Sequence, residues 1–132
     1  MNRSLNKVLL IGEVLREPEM RYTPSGRPVT TFLLETNRNW VTSDGEKHSD
    51  TERFHIVAFG NLAESCSQQF EKGCQVYVEG RLQSRQWEDR DGIKHNSVEI
   101  HALDVLFLSS SGDSEETAGE DLMNLDLNEI SF

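Results

Sequence analysis

Cysteine, proline and long apolar runs are all scarce in this chain of 132 residues, and each scarcity removes a class of explanation. The two cysteines, Cys66 and Cys74, show neither CxxC nor any other metal-ligand spacing and read as small buried residues. His48, His55, His95 and His101 are scattered, so no metal site is expected, and no cofactor. No apolar run exceeds four residues, as in VLLI from Val8 and VLFL from Val105, far short of a membrane span or the core of a signal peptide. Glu13 comes too early for a cleavable transit peptide, so a cytoplasmic protein without membrane association is expected. The acids do not cluster as metal-dependent hydrolysis requires, and GNLAESC and EGRLQSR lack the spacing of a phosphate-cradling loop. The expectation is therefore not an enzyme.

Base is also missing, but only from one end. The net charge of −10 is unevenly spread: all thirteen Lys and Arg lie between Arg3 and Lys94, while residues 109–132 hold seven acids and no base. Thirteen bases against sixteen acids leave residues 1–108 at only −3, so a local basic surface is possible there. The stretch SSSGDSEETAGED has no apolar period and too little apolar surface to offset the entropy of ordering it. Residues 1–108 are thus expected to form one domain and residues 109–132 a disordered acidic tail.

What the chain does have is a period of two. Strand-like alternation covers Asn6 to Leu15 with continuation through EMRYT, then Val29 to Trp40, Glu52 to Phe59, Cys74 to Glu88 and Lys94 to Leu108. The turn signals TPSGRP, SDGE and DRDG separate them. One helix is predicted in NLAESCSQQFEKG, with Asn61 as its cap, Glu64 completing a capping box and Gly73 as the left-handed stop. Three strands, a helix and two strands is the order of an OB-fold. The expected class is all-β with one short helix, a five-stranded OB-fold barrel followed by the acidic tail.

Alternation also sorts side chains by face. Cys74, Val76, Val78, Gly80 and Leu82 read as core, and Tyr77, Glu79, Arg81, Gln83, Arg85 and Trp87 as the opposite, solvated side. Phe54, Ile56 and Ala58 separate in the same way from Arg53, His55, Val57 and Phe59. Aromatics beside cations suit a single strand of nucleic acid, since bases stack on aromatic rings while Arg follows the phosphates. A cross-strand packing role for Trp87 and a core role for Phe59 are the competing readings. Trp40 adjoins the polar loop VTSDGEKHSD, away from any buried pattern.

These residues carry a resemblance. LNKVLLIGEVLREPEMRYTPSGRPVTTFLLETNRNW, FGNLAESCSQQFEKGCQVYVEGRLQSRQW and EIHALDVLFL are similar to the strand segments of the bacterial single-stranded DNA-binding proteins, and the likeness covers residues 4 to 108. It implies an OB-fold domain, usually a homotetramer, that wraps single-stranded DNA during replication, recombination and repair, in the cytoplasm at the nucleoid. Trp40, Phe59 and Trp87 fall at base-stacking positions of the family. Arg53 stands where an aromatic is frequent and His55 where a base is frequent, and Gln83 and Gln86 also replace frequent bases. With Arg81 and Arg85 these residues make the expected DNA-binding set. The alternatives are a primosomal-type OB-fold adaptor, disfavoured by the Trp40, Phe59 and Trp87 set, and a single-stranded RNA-binding OB domain.

Two surface expectations complete the reading. Subunits are expected to associate through apolar positions such as Phe54, Tyr77 and Leu33, with an inward, core role for Phe54 as the competing reading. The chain ends in LDLNEISF, where the resemblance implies an acidic stretch and an apolar tip that recruits replication and repair proteins. Ile130 and Phe132 would enter an apolar slot, with Asp126 and Glu129 steering toward a basic patch. A merely solubilising tail is the alternative.

Overall fold

The computed structural model describes residues 3–110, and the tail residues Asp126, Glu129, Ile130 and Phe132 lie outside them. Six strands and one helix follow in the order β1 (Val8–Val14), β2 (Glu19–Tyr22), β3 (Pro28–Val41), β4 (Lys47–Phe59), α1 (Asn61–Gln69), β5 (Gln75–Glu88) and β6 (Lys94–Ser109). The sheet order is β1-β5-β6-β4-β3-β2. β1 bends from β5 to pair also with β3 through Glu13↔Glu35 and Val14↔Leu34, which closes five strands into a barrel. The expected all-β, five-stranded OB-fold barrel with one helix is what forms.

Two glycines permit the closure. A Cβ on Gly12 would collide with the Glu35 carbonyl oxygen where β1 crosses to β3. One on Gly80 would lie 2.5 Å from the His101 carbonyl oxygen, beside the register shift between β5 and β6. The remaining seam is thin: β4 and β6 run parallel and share only Ile56↔Ile100 and Val57↔His101.

The core follows the alternation. Val14, Leu34, Ile56, Val76, Val78 and Ile100 are almost wholly buried, and Phe32 meets Phe70 edge-on at 5.7 Å. The helix packs on β3, β4 and β6, burying Ala63 and Cys66. The buried Thr30 hydroxyl donates to the Ala63 carbonyl at 2.7 Å, so the polar side chain that enters this core is satisfied and ties α1 to β3. Cys66 and Cys74 are both buried, and burial pushes the Cys66 thiol up to about 12.

Five expectations change. β4 begins at Lys47 rather than Glu52, because its first residues pair with the far end of β3 from Val41 inward. EMRYT does not prolong β1; Glu19–Tyr22 forms β2, paired on β3 from Glu19↔Thr31 to Tyr22↔Pro28. The helix ends at Gln69, three residues short of Lys72, and its cap is Gly60, without a side-chain capping bond, so Asn61 is its first residue. Leu82 is 47% exposed, because β5 leaves the barrel after Gly80 and no core remains beneath it. Phe54 is half-buried and packs against the core, on the inward face shared with Leu34 and Ile56, which favours its inward reading over an assembly surface.

Candidate nucleic-acid interface

Two ribbons project from the barrel. From Thr36 through Arg53 in β3–β4, and from Arg81 through Glu99 in β5–β6, no residue is buried. Polar and charged residues dominate both stretches, so pairing continues beyond the core on backbone bonds and cross-strand contacts alone.

Trp40 and Trp87 stand near the ribbon tips, 38% and 48% exposed. Trp40 lies directly opposite His48, their rings stacked at 5.4 Å and 17°, and the Arg38 guanidinium sits 4.5 Å from the indole centre. Trp87 lies opposite His95, stacked at 4.3 Å and the same 17°. Each imidazole is held by a carboxylate: His95 Nε2 donates to Asp89 Oδ2 at 2.8 Å, and His48 Nε2 lies 3.4 Å from Glu46 Oε2. The His95 bond is the largest cause holding the Asp89 carboxyl below its usual range, aided by the backbone N–H groups of Ile93 and Asp91. At the other tip the Thr42 hydroxyl does the same for Asp44.

The remaining predicted residues lie nearer the barrel. Arg53, His55 and Phe59 project outward from β4, opposite in pleat to the buried Ile56 and Ala58. On β5, Arg81, Arg85 and Trp87 share the outward pleat that alternates with the buried Val76 and Val78. Arg81 and Val57 both pair with His101, so the outer pleats of β5, β6 and β4 adjoin, although Val57, sorted with the solvated side by alternation, is covered there and only 7% exposed. Phe59 meets His101 edge-on at 5.4 Å and carries the Arg27 guanidinium at 4.9 Å. Arg53 Nε donates to Glu35 Oε2 at 3.0 Å, and Arg81 donates to Gln83 Oε1 at 2.9 Å. The Arg53–Glu35 pair is exposed on the arginine side, so a phosphate can compete for it at little cost.

Trp40 is the exception. Its pleat is that of Leu34, continued past the end of the core, so it lies on the other side of its ribbon from Arg53 and His55. The arrangement thus offers an outer face with cations and two aromatics, and a third aromatic reached around the first ribbon. Among the described residues no group of His, Cys, Asp and Glu could hold a metal ion.

Sequence reasoning missed Arg27, Arg38, His48, His95 and His101. A signal for two of them was present: WVTSDGEKH from Trp40 and WEDRDGIKH from Trp87 repeat Trp, Asp, Gly, Lys and His at equal spacing. The turns are built alike, with Thr42 N–H donating to Glu46 O at 2.9 Å and Asp89 N–H to Ile93 O at 3.0 Å.

Comparison with known proteins places this geometry. The model of the single-strand binding protein family matches residues 5–108. A single-stranded DNA-binding protein 1 of Chlorobaculum tepidum is 46% identical over 111 residues, 83% of this chain and 68% of that protein. A single-stranded DNA-binding protein of Caldanaerobacter subterraneus is 44% identical over 123 residues, 92% of this chain and 81% of its own length. Among solved structures, a Plasmodium falciparum SSB in complex with single-stranded DNA superposes with a TM-score of 0.77 at 34% identity, covering 83% of this chain and all of the other. A single-stranded DNA-binding protein from Thermus aquaticus gives 0.73 at 35% identity, covering 85% of this chain and 54% of that one. The matched family is one of binding proteins rather than enzymes. With four fifths of its length aligned and the barrel shared, this chain belongs to the single-strand binding protein family.

Proposed function

We propose that the chain binds single-stranded DNA without sequence preference, covering it during replication, recombination and repair. The observation that carries this reading is the exposed tryptophan on each projecting ribbon. A large aromatic held out on a ribbon without a core gains little from folding, whereas each base stacked on it is worth roughly 1–3 kcal/mol. Trp40, Phe59 and Trp87 act as stacking platforms, and Arg53, Arg81, Arg85 and His55 follow the phosphates. Every base has a π-face, so the mode is indifferent to sequence.

The chain acts as a homotetramer. Support comes from the outer barrel surface, where Leu9, Leu103 and Leu106 are 58%, 61% and 55% exposed beside the pair Ile11↔Tyr77. Apolar surface of this kind marks a protein contact. The acidic stretch that follows β6, which ends at Ser109, serves as a tail, and its tip Asp126, Glu129, Ile130 and Phe132 recruits replication and repair proteins. The site of action is the cytoplasm, at the nucleoid; among the described residues no helix is long and apolar enough to cross a membrane.

Competition of poly-dT against poly-U, followed by tryptophan quenching, tests the main reading. Preference for poly-dT supports it, and equal or stronger binding of poly-U overturns the assignment to DNA. Sedimentation at micromolar concentration tests the tetramer, and a stable monomer rejects it.

A further inference from the structure

The indoles proposed as platforms have no core to fix them. A ring on an open two-stranded ribbon turns about two side-chain torsions, and immobilising such a side chain costs about 0.5–1.5 kcal/mol when a ligand binds. At both tips the same neighbour limits that freedom. His48 and His95 lie directly across from Trp40 and Trp87, each stacked at 17° to its indole.

The second tip is anchored through to the backbone. Asp89 Oδ1 accepts the N–H groups of Asp91 and Ile93, both at 2.9 Å, while its Oδ2 accepts from His95 at 2.8 Å. Turn, carboxylate, imidazole and indole therefore form one connected chain. The first tip is joined differently: the Thr42 hydroxyl, not a carboxylate, accepts the turn N–H of Glu46, while the Glu46 carboxylate lies 3.4 Å from His48 and Arg38 is a second neighbour of the indole.

We propose that His48 and His95 are positioning residues of the single-strand site: each imidazole stacks on the indole opposite and holds it across the ribbon, and at Trp87, where no cation also lies over the ring, the other face is left to a base. The inference rests on the single-strand reading above and adds the groups that orient its platforms. It also ranks them. His95, tied to the turn, orients Trp87 alone, whereas His48 shares Trp40 with Arg38.

The test uses the full chain and oligo-dT. His95→Ala is expected to weaken binding about two- to ten-fold, the range of one aromatic pair, with the thermal midpoint unchanged. His95→Phe, which restores a flat ring without the bond to Asp89, should recover most of that loss. Time-resolved tryptophan anisotropy should report a faster indole in His95→Ala and a slowed one in His95→Phe. His48→Ala should lose less than His95→Ala. Wild-type affinity in His95→Ala, or no recovery in His95→Phe, overturns the inference. Trp87→Ala, measured in parallel, separates the two levels. If it weakens binding while His95→Ala does not, only the positioning role falls; if Trp87→Ala also binds normally, the ribbon reading falls and the inference with it.

Discussion

The two ribbons carry the same nine-residue pattern and aim it in opposite directions. On β3 the count from the buried Leu34 to Trp40 is even, so the indole keeps the pleat of the core face after the core has ended. On β5 the count from the buried Val78 to Trp87 is odd, and the indole joins Arg81 and Arg85 on the outer face. Local chemistry is repeated; direction is set by how many residues separate it from the last core position. If both indoles stack bases as proposed, one strand would have to pass from one side of a ribbon to the other.

The two ribbons share one root and differ at their tips. The largest effect is expected in the barrel that both ribbons share: Ile56→Ala removes a fully buried side chain at the β4–β6 seam and should cost about 2–5 kcal/mol of stability in denaturant titration. Equal stability of that variant and the parent would mean that the seam is not what holds the ribbons in place.

Next come the tips. Trp40→Ala and Trp87→Ala should each weaken oligo-dT binding by roughly 1–3 kcal/mol, with stability within about 0.5 kcal/mol of the parent. Because the rings stand on separate ribbons, the double variant should lose close to the sum, as measured by calorimetry. A double variant no weaker than either single would mean that one strand never engages both sides.

A smaller difference separates stacking from charge. Arg85→Ala should lower the slope of log affinity against log salt by about 0.7, one phosphate on a single strand, while Trp87→Ala leaves the slope unchanged. Equal slopes in Arg85→Ala and the parent would remove Arg85 from the phosphate path.

How much of this was legible beforehand depends on the distance over which each feature is decided. The long strands follow from alternation within a dozen residues, apart from the first five residues of β4, whereas the choice of Trp40, Phe59 and Trp87 as a set rests on the resemblance as well. The break before β2 does not, since Glu19–Tyr22 becomes a separate strand only because β1 turns toward β3 at Gly12, a contact with distant backbone. Leu82 was misplaced for the same reason: alternation gives its pleat but not where the barrel beneath it stops. The histidine pairs needed register, which a repeated turn motif supplies once the two tips are aligned.

The smallest effect concerns acid. Hydrogen bonding in the folded tip depresses the Asp89 carboxyl, so its stabilisation is fully present above the unfolded value of about 3.9 and declines as pH falls from there through the folded one. Amide exchange at Asp91 and Ile93, corrected for intrinsic rates, should speed up over that window in the parent, and the step should vanish in Asp89→Asn. No step in the parent would uncouple Asp89 from the turn.

The thin seam between β4 and β6 has a kinetic consequence. Each ribbon is a hairpin whose strands are neighbours in the chain and can zip within microseconds, whereas the Ile56↔Ile100 contact must wait for the helix and β5 to be threaded between them. Assembly is therefore expected to run from the two hairpins to a late stitch at this seam. Shortening Ile100 to Val should accelerate unfolding while leaving the refolding rate nearly unchanged, the signature of a contact made after the barrier has been crossed.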